Sequence, residues 1–264
     1  MQPGQKLAGK AALVTGASGG IGRAAALALA EQGADVALNY LTWPEAGQET
    51  AARIQALGRK AACFPVDLTE QSAVEQMVQD AVAALGRLDI LILSAVYSDR
   101  EFFYQADMAG FRRTIDVSMW GAFYVLRAGA NQMIRQGQGG SVVVVSSPHA
   151  HIPLPSCMAY NMAKAANDQM AKTAAIELLP HRIRVNLLHP GWTDTPGERK
   201  FFSEETLRQA SARTPLGRLV RPEEIARGIL FLVDPDSEAI NGSTLSIDGG
   251  SQLPWWSKRG TGEF

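Results

Sequence analysis

Ala11-Ala12-Leu13-Val14-Thr15-Gly16-Ala17-Ser18-Gly19-Gly20-Ile21-Gly22 passes from an apolar run, through a glycine-rich turn, into a segment of helical period. The run reads as a strand and the segment from Ile21 as a helix. Glycines permit the tight turn and let a pyrophosphate approach backbone N–H groups at the positive end of the helix. A glycine pattern alone is weak, but this one sits in the first strand–turn–helix unit, where that mechanism requires it. Gly16, Ser18, Gly20, Ile21 and Gly22 are therefore candidate dinucleotide-binding residues.

Outward from this unit the same rhythm repeats. Strands are predicted at 11–15, 35–40, 61–66, 88–93, 141–146, 183–188 and 244–247, and helices at 21–32, 45–57, 70–85, 111–136, 156–179 and 223–233. Most of the strands are nearly continuous in apolar residues, as strands covered on both faces are. Alternation of this kind implies parallel strands joined by right-handed crossovers. The expected fold is α/β, a single-domain doubly wound (Rossmann) parallel sheet of seven strands with helices on both faces, spanning 1–264. Residues 192–216, with their prolines, charge and Phe201-Phe202, read as a partly helical excursion over one edge, and 251–264 as a C-terminal tail.

Net charge is -1, so no basic field favours nucleic acid or an anionic membrane. No apolar run approaches the length of a bilayer span, and residues 1–10 show no signal-peptide core. The expected location is cytoplasmic. Cys63 and Cys157 form no disulfide framework, and His149, His151, His181 and His189 show no paired metal-ligand spacing, so no metal is expected. Ser147 lacks a Gly-x-Ser-x-Gly elbow, which argues against a hydrolase triad.

In such folds the end of the second strand reads the adenosine ribose, an acid accepting from the 2′-hydroxyl and a base accommodating a 2′-phosphate. Asn39-Tyr40-Leu41 offers neither. NAD and NADP both stay open, the missing acid tilting the balance slightly to NADP. Asp67-Leu68 stands where it can accept from the adenine amino group or cap a helix.

Tyr160 and Lys164 are four apart on a predicted helix and share a face, while Ser147 ends the strand before it. Strand ends at the carboxyl edge of such a sheet are where ligands bind. Free tyrosine titrates near ~10, too high for a base at neutral pH, and a nearby ammonium favours the phenolate. Lys164 suits that task and can also hold ribose hydroxyls; Ser147 can donate to a substrate oxygen.

With these residues in place the chain resembles the short-chain dehydrogenase/reductases over nearly its whole length. The resemblance rests on Thr15 to Gly22, Asp67, Leu88-Asp89-Ile90, Ser147, Tyr160, Lys164, Ile183-Arg184-Val185-Asn186, Pro190-Gly191, Thr195 and Asp248-Gly249-Gly250. It implies Tyr160 as catalytic acid/base, Lys164 as its tuner and Ser147 as the group orienting the carbonyl. It also implies a nicotinamide pocket lined by Pro190, Gly191, Thr193 and Thr195. Two positions depart from the family pattern. Leu93-Ser94-Ala95-Val96 replaces Asn-Asn-Ala-Gly, so Ser94 and Ala95 are the cofactor contacts expected there. Ser118 replaces the family's fourth catalytic residue, an asparagine that holds a water linking the lysine to solvent. Activity, slowed rather than lost, is expected.

Residues 146–155 and the glycine-to-aromatic tail are similar to bacterial glucose 1-dehydrogenases. This makes a sugar or polyol the leading substrate, with His149, Tyr97 and Trp192 as substrate-contact candidates, and His151 and Ser98 as further polar ones. Phe102, Phe103, Tyr104, Trp192, Phe201 and Phe202 can instead wall an apolar pocket for a larger ketone. The expected reaction moves a hydride between nicotinamide and a secondary alcohol or carbonyl. The alternative, motivated by Ser118 and Leu93 to Val96, is a nucleotide-binding sensor or scaffold with weakened catalysis. Family members commonly assemble through the helices at 111–136 and 156–179, so a homotetramer (or homodimer) is expected, with Trp255 and Trp256 reaching a neighbouring subunit.

Overall fold

Strands β1 (Ala11–Val14), β2 (Asp35–Asn39), β3 (Ala61–Phe64), β4 (Ile90–Leu93), β5 (Gly140–Val145), β6 (Ile183–Pro190) and β7 (Thr244–Ile247) form one parallel sheet in a computed structural model that describes residues 5–254. Their order is β3-β2-β1-β4-β5-β6-β7. The helices are α1 (Gly20–Glu31), α2 (Pro44–Ala56), α3 (Gln71–Leu85), α4 (Met108–Ile115), α5 (Gly121–Gln136), α6 (Met158–Glu177), α7 (Glu204–Ser211) and α8 (Pro222–Val233). Trp255 and Trp256 lie outside the described residues.

Alternation along each central strand supplies two cores. Leu13, Leu91, Leu93, Val142, Val144 and Leu187 face α3, α5 and α6. Their neighbours Val14, Ile90, Ile92, Val143, Val145 and Leu188 face α1, α2 and α8. Successive side chains of a strand point to opposite faces, so an unbroken apolar run is what a doubly covered sheet requires. Fully burying one such side chain stabilises the fold by roughly 1.5–3 kcal/mol.

Several family motifs prove to be structural. Asp89 is buried beneath the sheet, where it accepts from the Ala11 amide (2.9 Å) and from two nitrogens of Arg87 (2.6 Å each). Asn186 donates to the Ile240 carbonyl (2.8 Å) and accepts from the Ser243 amide (3.0 Å), fixing the turn into β7.

The helix expected over 111–136 is three pieces. Asp107 caps α4 by accepting from the Ala109 and Gly110 amides, a π-helical turn occupies Asp116–Trp120, and α5 continues from Gly121. Apolar periodicity does not register such a one-residue bulge. The helix expected from 156 begins at Met158, because Ser156 adopts φ +59° ahead of it. The 192–216 excursion holds a 3-10 turn (Pro196–Lys200) and α7.

Strand order reverses at β1, which lies between β2 and β4. A crevice opens beyond the carboxyl ends of the strands at such a point. Thr15 clasps it: its hydroxyl accepts from the Ser94 (3.0 Å) and Ala95 (3.2 Å) amides and donates to the Ile92 carbonyl (3.3 Å).

Candidate active site

Ser147, Tyr160 and Lys164 converge beyond the end of β5. Ser147 is buried and accepts from the His149 amide (3.2 Å), and the His149 ring centre stands 6.4 Å from that of Tyr160. One turn along α6 the Lys164 amine is buried, donates to the Val145 carbonyl (2.8 Å) and stands 5.6 Å from the Tyr160 ring centroid. The spacing of four on α6 is what aligns the phenol and the amine.

Burial dominates the electrostatics of both groups. It lowers the Lys164 amine to about 8, partly opposed by the charge of Asp168 one turn further on. It raises the Tyr160 phenol, against which the Ser147 hydroxyl pulls down. With Lys164 bound to Val145, the phenol is held up by burial rather than drawn down by the ammonium, contrary to what charge alone suggested. Desolvation disfavours whichever form carries charge, and here it acts on both partners.

Ser118 lies in the π-helical turn with both functions of its hydroxyl taken by Tyr97. It accepts from the Tyr97 amide (3.0 Å) and donates to the Tyr97 carbonyl (2.7 Å). In this arrangement it straps the segment after β4. Asn167, one turn beyond Lys164, donates to the Ser118 backbone carbonyl (2.8 Å) and is itself buried, its Oδ1 without a partner among the described residues.

The glycine turn fits a dinucleotide pyrophosphate. Gly16 adopts φ +67°, and a Cβ there would come within 2.9 Å of the Ala95 Cα; one on Gly22 would meet the Gly16 carbonyl oxygen at 2.2 Å. Only glycine allows this approach. No side chain caps the start of α1 at Gly19, so its first N–H groups stay available to an anion. Ser18 is buried in the turn, and Ile21 opens α1 packed against the core. Thr195 overhangs Gly20, and the Trp43 ring overhangs Gly19. Thr193 is buried and donates to the Gly191 carbonyl (2.7 Å); Pro190 pairs with Ile247 at the end of β6.

Three further expected cofactor residues lie in the segments after β2 and β3. The Tyr40 side chain is buried beneath α2 against Gly47, its hydroxyl accepting from Gln48 (3.0 Å). Asp67 accepts from the Thr69 amide and hydroxyl (3.0 Å each) and pairs with Arg113 (3.2 Å). Leu68 is buried against Gly121.

Around the phenol, the His149 ring centre stands 6.4 Å from that of Tyr160, with Nδ1 hydrogen-bonded to the Ile152 carbonyl (2.9 Å). Tyr97 donates to Asp99 (3.0 Å) under the Lys200 amine. Phe102, Phe103 and Tyr104 are exposed rather than walling the site, whereas Trp192, Phe201 and Phe202 are half-buried.

Three features escaped the sequence reading. Asn167 left a faint signal, an amide among alanines on the face of α6 that carries Tyr160 and Lys164. Asp168, His189 and His151 bring one ligand atom each within 4.8 Å, although Asp168 already accepts from His189 (3.0 Å) and Ser146 (2.5 Å). Arg100 and Glu198 meet near the start of α6 from positions 98 residues apart. No spacing rule announces either of the last two.

A family model described as enoyl-(acyl carrier protein) reductase matches residues 16–252. The L-rhamnose 1-dehydrogenase (NAD(P)(+)) of Sphingomonas sp. (strain SKA58) is 38% identical over 245 residues, covering 92% of this chain and 96% of the relative. Glucose 1-dehydrogenase 2 of Bacillus subtilis is 30% identical, covering 94% and 96%. A short-chain type dehydrogenase/reductase from Mycobacterium marinum superposes with a TM-score of 0.87 at 34% identity over 94% and 97% of the two chains. Carveol dehydrogenase from Mycobacterium avium, in complex with NAD, gives 0.88 at 28% identity over 94% and 99%. Fold, motif positions and these likenesses agree: the chain belongs to the short-chain dehydrogenase/reductase family of oxidoreductases.

Proposed function

We propose that the protein is an NAD(P)-dependent dehydrogenase that interconverts a secondary alcohol and its carbonyl, with a sugar or polyol as substrate. The observation that carries this reading is the Tyr160 phenol one turn from the buried Lys164 amine on α6, with the buried Ser147 at the end of the preceding strand, at the crevice that the glycine turn also borders. The likeness to rhamnose and glucose dehydrogenases supports the substrate class.

When bound, the nicotinamide accepts or supplies the hydride. Ser147 donates to the substrate oxygen and fixes the carbon that bears it. In the oxidising direction the Tyr160 phenolate takes the hydroxyl proton as the carbon–oxygen double bond forms; in reduction the phenol returns it. Lys164 would hold the ribose hydroxyls of the bound nucleotide, and its ammonium would stabilise the phenolate. Because burial holds the phenol high, alcohol oxidation gains rate as pH rises and carbonyl reduction is favoured at lower pH.

Tyr160→Phe tests the assignment. The variant is expected to bind nucleotide as the wild type does, by nicotinamide fluorescence, while kcat falls by roughly 10²-fold or more. Turnover at the wild-type rate refutes it. Comparing NAD+ with NADP+ across sugars, polyols and apolar ketones identifies the nucleotide and the substrate class together.

A further inference from the structure

Near the start of α6, two segments meet in a contact that the reaction itself does not use. Arg100, in the loop after β4, is held near α6 by a parallel bridge between Glu101 and Cys157, three residues before Tyr160. Glu198 belongs to the 3-10 turn of the 192–216 excursion. The Arg100 guanidinium lies over the Phe201 ring (3.9 Å) and near that of Phe202 (5.0 Å). It donates to both Glu198 oxygens at long range, 3.3 and 3.4 Å, and its buried Nε finds no partner among the described residues. The Trp192 indole donates to Glu198 (2.9 Å) and sets its ring edge-to-face against Phe202. The charges of Glu198 and Arg100 bear on the Tyr160 phenol in opposite directions, and the bridge to Cys157 places Arg100 next to the first turn of the helix that carries that phenol.

We propose that Arg100 and Glu198 form a substrate subsite that reads a pair of neighbouring hydroxyls on a polyhydroxylated substrate, beside the carbon oxidised at Tyr160. The inference rests on the dehydrogenase reading above. A carboxylate offers about four acceptor positions, and Glu198 has several left after Trp192 and the stretched contacts to Arg100. Arg100 has a donor to spare. One acceptor and one donor side by side match a diol, in which each hydroxyl both gives and receives. A substrate carboxylate fits poorly, because Glu198 would repel it and hold the guanidinium's charge away from it. Trp192 and Phe202 offer apolar rings for the C–H surface of a sugar. Rigid, pre-held polar groups of this kind reject analogues that lack a hydroxyl, since they are then left unpaired.

Glu198→Gln keeps the shape of the side chain and removes its charge. Steady-state rates with L-rhamnose, D-glucose, 2-deoxy-D-glucose, cyclohexanol and lactate separate the outcomes. The wild type is expected to favour a sugar bearing adjacent hydroxyls. In Glu198→Gln the KM for that sugar should rise roughly tenfold or more while nucleotide affinity and the KM for cyclohexanol hold, and the lost charge beside the phenol should alter kcat for both substrates alike. Arg100→Lys, which keeps the charge but loses the fork, should show the same selective loss. A Glu198→Gln enzyme with the wild-type sugar KM overturns the subsite, as does an equal rise in the KM for cyclohexanol, which marks a merely structural role. Preference for lactate, or for cyclohexanol over every sugar, overturns the subsite while the dehydrogenase reading stands; absence of turnover on all alcohols removes both.

Discussion

Lys164 shows what a reactive group costs its fold. Its amine ionises at about 8 when buried, against 10.5 when free, so the folded protein binds fewer protons than the unfolded chain between those values. Stability from this group therefore rises with pH across that window, and at neutral pH the buried ammonium carries a penalty on the order of 3 kcal/mol. Lys164→Met removes the penalty but leaves the Val145 carbonyl without its donor. The variant should be inactive yet resist urea better by about 1–2 kcal/mol at pH 7, with the advantage gone above 10.5. A urea midpoint below that of the wild type at pH 7 contradicts this account. At this scale Ser147, Tyr160 and Lys164 were legible beforehand because strand end and helical spacing place them. The occupied hydroxyl of Ser118 was not, since its partner is backbone, and backbone has no identity in a sequence.

Among the elements, the π-helical turn at Asp116–Trp120 matters most to the site. It turns the Ser118 carbonyl to the Asn167 amide, joining the helix that carries the reactive pair to the loop strapped by Ser118. Asn167→Leu leaves that carbonyl buried with no donor and should cost about 1–3 kcal/mol in chemical unfolding. Because Asn167 lies one turn from Lys164, the pH–rate profile should move as well; a variant with unaltered stability and profile would show that the contact is incidental. The bulge was invisible to periodicity, which sees which residues are apolar but not where the winding loosens. The 192–216 excursion was recognisable by its break in rhythm, whereas its pairing with Arg100 depends on the closed fold.

For the molecule as a whole, Trp120, Phe123 and Tyr124 form an aromatic cluster at the start of α5, with Trp120 and Phe123 exposed, and Ile176 is exposed on α6. Clustered large apolar side chains on a surface mark an interaction face. In the proposed homotetramer these helices pack against another copy. Light scattering at micromolar concentration should give about four times 28.4 kDa, and Phe123→Glu should shift the mass downward. A wild-type monomer defeats the proposal. The parallel seven-stranded sheet followed from the alternation of apolar runs and helical segments, because two covered faces leave that imprint on every strand, whereas the order of the strands emerges only in the folded chain. Assembly leaves a fainter one, spread over side chains that also serve as ordinary surface.

The division of neighbouring strand residues between opposite cores makes parity inviolable. Dropping one residue from β5 would send Val143 and Val145 toward the wrong helices and swing Ser147 out of reach of the phenol. New specificities can thus arise only at the rim, where segments such as 94–107 and 192–216 can lengthen or shorten without turning a strand over.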